Sequence, residues 1–273
     1  MPNSNDHSRE VILLKLGGSL ITDKTRPDAL RPQILERLAQ EIAGLRRDQK
    51  LDLVIGHGSG SFGHATAARY NVSEGLRKPE QRFGVAATRA AAARLNQLVV
   101  EGLLAAGESP FPIAPSSVMV ARFGLARRFF LETLLAALEQ ELLPVVFGDV
   151  VMDSGQGAAI ASTETVFSAL AQQLPRRRWV VRRMVWLGET AGIYDREGRT
   201  IPTLSTTSIP RLLMGLSGAS GVDVTGGVRH RVETAARLAK RGITSWILDG
   251  REPGLLAQAL AGEEVPGTVV LAS

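Results

Sequence analysis

The run Val11-Ile12-Leu13-Leu14-Lys15-Leu16-Gly17-Gly18-Ser19 is a short apolar segment, interrupted by one lysine, that stops at two glycines. It predicts a buried strand over 11–16 feeding a glycine turn. The pattern returns twice: 51–56 runs into the glycine loop 57–64, and 144–147 runs into Gly148-Asp149. Helical spacing of apolar residues predicts helices over 32–45, 84–106, 131–142, 164–174, 226–241 and 252–261. Strands are predicted over 111–114, 179–187, 244–248 and 268–271, with a hairpin over 193–204 turning near Gly198. Strands alternating with helices imply an α/β fold: a three-layer α/β/α sandwich on a mainly parallel central sheet, with right-handed crossovers. No repeat or low-complexity linker divides the chain. Residues 1–273 read as a single domain, and the stretch after Gly155 as a second lobe within it.

The 273 residues are 44% hydrophobic and 22% charged, enough for a large core. The absence of cysteine rules out disulfides, thiolate zinc sites and a cysteine nucleophile, and fits an intracellular, cytoplasmic protein. The net charge of +5 arises from 32 basic and 27 acidic residues. Much of the excess sits in Arg176, Arg177, Arg178, Arg182 and Arg183. It reads as a solvated basic face, compatible with small anionic partners. With no basic stripe interleaved with aromatics, no nucleic-acid partner is expected. No apolar run approaches the roughly 20 residues that span a bilayer, so no membrane partner is expected either. The polar start, 1–10, reads as a disordered lead-in.

Three glycine turns that each follow a buried strand would meet at the carboxyl edge of a parallel sheet, where ligands of such folds gather. Glycine lets backbone N–H groups approach a ligand, and phosphate oxygens are the usual acceptors. None of the turns matches the P-loop or the dinucleotide fingerprint. Lys15 stands inside an apolar strand, costly unless it is paired or bound to an anion. The alternative is a snorkelling lysine on a sheet edge. Lys24 follows in Ile21-Thr22-Asp23-Lys24 and, taken alone, is a surface lysine.

Leu14-Lys15-Leu16-Gly17-Gly18-Ser19, with Thr22-Asp23-Lys24 behind it, resembles the opening of the amino acid kinase superfamily. The loop Gly56-His57-Gly58-Ser59-Gly60-Ser61-Phe62-Gly63-His64 is similar to that of its isopentenyl phosphate kinase branch. The stretches 144–151 and 223–228 continue the likeness in the same order. The resemblance implies ATP-dependent phosphorylation of isopentenyl phosphate to the diphosphate, with ATP and Mg2+ as cofactors and a homodimer as the assembly. It places the acceptor in a lobe over 11–155 and the nucleotide in a lobe over 156–273. It implies catalytic roles for Lys15, Lys24 and His64. It implies acceptor binding by Ser59, Gly60, His64, Gly148, Asp149 and Thr163. ATP is expected at Lys15, Gly17, Gly18, Ser19, Gly60, Glu189, Gly226, Gly227 and Arg231. A histidine suits an acceptor phosphate because it donates a hydrogen bond and gains charge if its pKa rises beside the anion. The alternative for His64 is a loop histidine bonded to a carbonyl. His57 reads as structural support, and His7 and His230 as surface residues.

The chain departs from the family pattern in three places. Arg231 stands where a lysine is usual. Ser162-Thr163-Glu164 replaces Ser-Gly-Asp, leaving Glu164 as the acid that organises the lysines, or as a residue that merely favours a helix N-terminus. Gly188-Glu189-Thr190-Ala191-Gly192 replaces Thr-Asp-x-Asp-Gly. No metal-ligand set is legible. The small residues Ala86, Ala87, Ala90, Ala91 and Ala93 offer a wall for the acceptor's carbon chain, or simply a strong helix former packed on the sheet. Two other readings stay open: a related kinase of another small phosphate or phosphonate such as fosfomycin, and a non-catalytic nucleotide-binding module.

Overall fold

In the computed structural model, which describes residues 8–176, 178–216 and 226–272, the fold is the expected α/β sandwich. In chain order the first half holds β1 (Arg9–Leu16), α1 (Gly18–Ile21), α2 (Pro32–Gln49), β2 (Leu53–His57), α3 (Gly60–Arg69), α4 (Pro79–Ala105), β3 (Pro110–Pro112), α5 (Pro115–Val118), β4 (Met119–Arg122), β5 (Leu125–Phe129), α6 (Glu132–Glu139), β6 (Leu143–Phe147) and β7 (Asp149–Asp153). It continues with β8 (Gly157–Ala161), α7 (Thr163–Gln173), β9 (Trp179–Gly188), β10 (Thr203–Leu204), α8 (Ile209–Leu216), α9 (Gly226–Ala239), β11 (Thr244–Asp249), α10 (Leu255–Ala261) and β12 (Thr268–Val270).

The main sheet has the order β10-β12-β11-β9-β1-β2-β6-β3, and only β11 and β12 pair antiparallel. Strand alternation divides the core into two layers. On β1, Ile12, Leu14 and Leu16 face the layer filled by Leu38 and Ile42 of α2, Leu95 and Val99 of α4 and Leu256 of α10. Val11 and Leu13 face the other layer, with Leu134 of α6, Phe167 of α7 and Val232 of α9. By the same alternation Lys15 points into this second layer, toward α7 and α9. Because β1, β2, β6, β9 and β11 are parallel, their carboxyl ends lie along one edge, and the glycine turns with them.

Several local readings change. Residues 57–64 are only partly a loop, because α3 begins at Gly60 and packs against α4. A second sheet, in the order β5-β4-β7-β8, was not foreseen. Its inner residues, among them Met119, Phe129, Val151 and Ala159, join the core over α7, so Gly148 links two sheets rather than ending in a loop. Strand β1 takes in Arg9 and Glu10, which pair with Asp52 and Arg183 instead of belonging to a lead-in; residues 1–7 lie outside the described ones. The turn near Gly198 is present at φ +78°, closed by one antiparallel bridge between Tyr194 and Thr200. The alanine wall does not form as one face: Ala91 is buried in the core, while Ala86, Ala90 and Ala93 are exposed.

Candidate active site

The glycines at the carboxyl ends of β1 and β2 touch each other. A Cβ on Gly18 would fall 2.7 Å from the backbone nitrogen of Gly60, and one on Gly58 would fall 3.0 Å from that of Gly18. The two turns can approach this closely only without side chains. Gly17 closes against the end of β9, donating its N–H to the Leu187 carbonyl at 2.8 Å, and Ser19 follows half-buried in α1. Ser59 precedes α3, and its carbonyl accepts from the N–H groups of Phe62 and Gly63 at 3.1 and 3.2 Å. Gly60 has φ +51°, a conformation that favours glycine, and a Cβ there would fall 2.2 Å from Thr22 Oγ1. The Thr22 hydroxyl ties the two turns together: it donates to the Gly18 carbonyl at 2.6 Å and accepts from the Ser61 N–H at 3.0 Å.

Lys15 and Glu164 form a buried ion pair, the ammonium donating to Oε1 of the carboxylate. Lys15 lies between Gly56 of β2 and Trp186 of β9 in register, with its Nζ 5.6 Å from the Trp186 ring centroid. Gly56 leaves the space on its side that Thr163 and Phe167 of α7 fill. Burial pushes the Glu164 carboxyl up, but the charge and hydrogen bond of Lys15, joined by a backbone N–H and the charge of His230, hold the pKa at about 2. Burial lowers the pKa of Lys15, Glu164 opposes this, and the charges of Arg231 and Lys24 add to it. Thr163 Oγ1 donates to the His57 carbonyl at 2.6 Å and stands near Gly148, so both border this group.

Lys24 and His64 are exposed at the mouth of the same edge. The loop carrying Lys24 is shaped by Asp23, whose Oδ1 accepts from the N–H and hydroxyl of Thr25 at 2.9 and 2.7 Å. A cavity of about 440 Å3 is lined by Lys24, Arg26, Pro27, Gly60, Ser61 and His64. Although His64 stays exposed at the mouth, the protein around its ring removes enough water to lower its pKa, and the charges of Lys24 and Lys15 lower it further, so all three groups share one field. His57 is internal: its Nδ1–H donates to the Gly58 carbonyl at 3.0 Å, its Nε2 faces the Asn96 side-chain amide at 3.1 Å, and its ring stacks on Phe147.

On the opposite flank Arg231 extends from α9 toward Glu164, and its guanidinium covers Gly188 at the end of β9. Gly226 and Gly227 open α9; residues 223–225 of that motif lie outside the described ones. Glu189 is not free at the edge but paired with Arg31 at the start of α2. Asp149 is buried, and its carboxylate accepts from the N–H groups of Ser116 and Val150 at 3.0 and 2.8 Å, so this side chain braces β7 against α5. Among the described residues, no group of three or more His, Cys, Asp and Glu could hold a metal ion. Two larger clefts, of about 530 and 850 Å3, lie away from the glycine turns; in the first, Arg9 and Arg46 are already paired with Asp52 and Glu108.

Lys15, Lys24, His64, Ser59, Gly60, Gly148, Thr163, Glu164 and Arg231 are thus brought to one sheet edge. Three neighbours were not singled out in the sequence. Arg26 had a signal, standing two residues after Lys24. Trp186 had none, because its place beside Lys15 depends on strand register. His230 reads as a surface residue, yet it is half-buried and its charge reaches Glu164.

The sequence pattern of the amino acid kinase family matches residues 10–249. The isopentenyl phosphate kinase of Methanothermobacter thermautotrophicus is 33% identical, over 94% of this chain and 98% of that protein. That of Haloferax volcanii is 32% identical, over 95% and 98%. An X-ray structure of isopentenyl phosphate kinase superposes with a TM-score of 0.79 at 29% identity, covering 95% of this chain and 99% of that one. The chain belongs to the amino acid kinase family, on its isopentenyl phosphate kinase branch.

Proposed function

We propose that this chain transfers the γ-phosphoryl group of ATP to isopentenyl phosphate, giving isopentenyl diphosphate and ADP. The observation that carries the reading is the grouping of Lys15, Lys24 and His64 over two glycine turns that pack backbone to backbone. An oxygen of the acceptor phosphate attacks the γ-phosphorus, and the bond from that phosphorus to the bridging oxygen of ADP breaks. The attacking oxygen is already anionic, so no general base is required. What must be supplied is alignment and neutralisation of charge. Lys24 and His64 hold the acceptor phosphate at the open mouth, with Ser59, Gly60, Gly148, the Asp149 backbone and Thr163 beneath it. Lys15 stands between acceptor and donor, positioned by Glu164. Gly17, Gly18, Ser19, Gly226, Gly227 and Arg231 receive the ATP phosphates, and Glu189 borders them from its pair with Arg31.

Magnesium would arrive on the ATP phosphates, since the nearby carboxylates are engaged by Lys15 and by backbone N–H groups. A homodimer and a cytoplasmic location go with this reading. Among the described residues, no helix is long and apolar enough to cross a membrane. The test is ADP release from Mg-ATP with a panel of isopentenyl, dimethylallyl and geranyl phosphates, fosfomycin and glutamate. Turnover with isopentenyl phosphate above the others is expected. Preference for fosfomycin would move the chain to another branch, and no release with any acceptor would make it a binding module.

A further inference from the structure

Gly188, the last residue of β9, is buried and keeps ordinary strand pairing: it lies opposite Asp249, and its carbonyl accepts from the Gly250 N–H at 2.8 Å. Its φ is not in the left-handed region, so the backbone there does not call for glycine. What does call for it is Arg231. A Cβ on Gly188 would fall 3.1 Å from Arg231 Nη1, 3.5 Å from Nη2 and 3.6 Å from Cζ, and these are the three nearest heavy atoms. The guanidinium ends over the bare Cα with Nη1 nearest, and it is close enough to Glu164 and Lys15 to share their field.

A planar guanidinium is wider than an ammonium, and its rigid fork of donors meets a phosphate well only in a fixed position. We infer that Gly188 is a positioning residue for donor-phosphate binding: by lacking a side chain it seats the Arg231 guanidinium, and positions 188 and 231 act as a matched pair. This rests on the kinase reading above. It also unites two departures from the family pattern, the loss of threonine at 188 and the gain of arginine at 231. A shorter-headed ammonium at 231 has no need of the seat, whereas the guanidinium must shift away from a side chain at 188. Glu164 is the third member, since its carboxylate pairs with Lys15 and lies within electrostatic reach of Arg231.

The experiment is a double-mutant cycle on Gly188→Thr and Arg231→Lys, read by calorimetric titration with the non-hydrolysable analogue of Mg-ATP and by KM and kcat. Gly188→Thr in the natural background weakens nucleotide binding by about tenfold to a hundredfold, the worth of one charge-assisted hydrogen bond. Its acceptor KM stays unchanged. With Lys at 231, the same Gly188→Thr change costs about threefold or less, so the double variant binds better than the product of the single losses. Gly188→Ala, which shifts the guanidinium by only a few tenths of an ångström, gives a smaller loss in the same direction and serves if the threonine variant does not fold.

Equal losses in both backgrounds, or unchanged affinity in Gly188→Thr or in Arg231→Ala, would overturn the pairing. If the natural chain binds the analogue but does not phosphorylate isopentenyl phosphate, the proposed acceptor fails while the cycle still tests the pair. A natural chain that does not bind the analogue overturns both.

Discussion

Lys15 is 8% exposed with a carboxylate against it, whereas Lys24, at the mouth of the same sheet edge, is exposed, and no carboxylate is paired with it among the described residues. Arg231 belongs with the first region, being within electrostatic reach of the same Glu164, and His64 belongs with the second. The inner region is built on strand and helix ends and carries its own counter-charge. The outer one is built on a loop and on the first turns of α3. Buried cations must be matched before any ligand arrives, because an uncompensated buried charge is costly. Exposed cations can wait for an anion, because water screens them. The inner half is therefore tied to stability, and the outer half is free of that role.

Substitutions separate the two. Glu164→Ala leaves the buried ammonium of Lys15 without its carboxylate and costs about 3–5 kcal/mol, a fall of roughly 10 °C in melting temperature, together with loss of turnover. Lys24→Ala lowers kcat by about 10²–10³-fold with the melting temperature unchanged. A melting shift in Lys24→Ala as large as in Glu164→Ala would erase the contrast.

A smaller effect sharpens it. His64→Gln raises the acceptor KM by about tenfold, the loss of one charge-assisted hydrogen bond. Loss of water around its ring, then Lys24 and Lys15, hold its pKa below 6.5 in the free protein. A bound phosphate acts in the opposite direction, so binding takes up a proton. The ratio of natural to His64→Gln affinity then increases as pH falls through the range just below 6.5, and a flat ratio would remove His64 from the acceptor phosphate.

The smallest effect is on stability. Burial lowers the pKa of His57. The unfolded chain takes up this proton near 6.5 and the folded chain only at lower pH. Below 6.5 the unfolded state therefore binds more protons, and stability falls. Above 6.5 the contribution is fully present. Unfolding free energies from denaturant titrations at about pH 7.5 and about pH 5.5 should differ by on the order of 1 kcal/mol, lower in acid.

The same contrast explains what the sequence could reveal. The inner region was legible because a lysine inside an apolar strand and glycines at strand ends are local signals, and alternation along β1 tells which way Lys15 points. The outer region was legible only through the motif around His64. Its helix was hidden, because Gly58, Gly60 and Gly63 read as loop and only packing of α3 on α4 makes the segment helical. Gly63 is needed there because a Cβ would fall 2.7 Å from that of Ser59. The second sheet was missed because its strands are short and its outer residues, such as Val120, Met152 and Ile160, are apolar yet exposed. Asp149 read as part of a phosphate turn, but its side chain serves the join between the two sheets. The seating of Arg231 on Gly188 joins residues 43 positions apart, and no local pattern announces it.

In the proposed mechanism these cations bring two phosphates into line for transfer. Phosphorus NMR of Mg-ATP and isopentenyl phosphate with the natural chain and with Lys24→Ala tests it most directly. Isopentenyl diphosphate and ADP form in equal amounts with the natural chain, and at least a hundredfold more slowly with the variant. ADP with inorganic phosphate and no diphosphate, or diphosphate formed by Lys24→Ala at the natural rate, would contradict it.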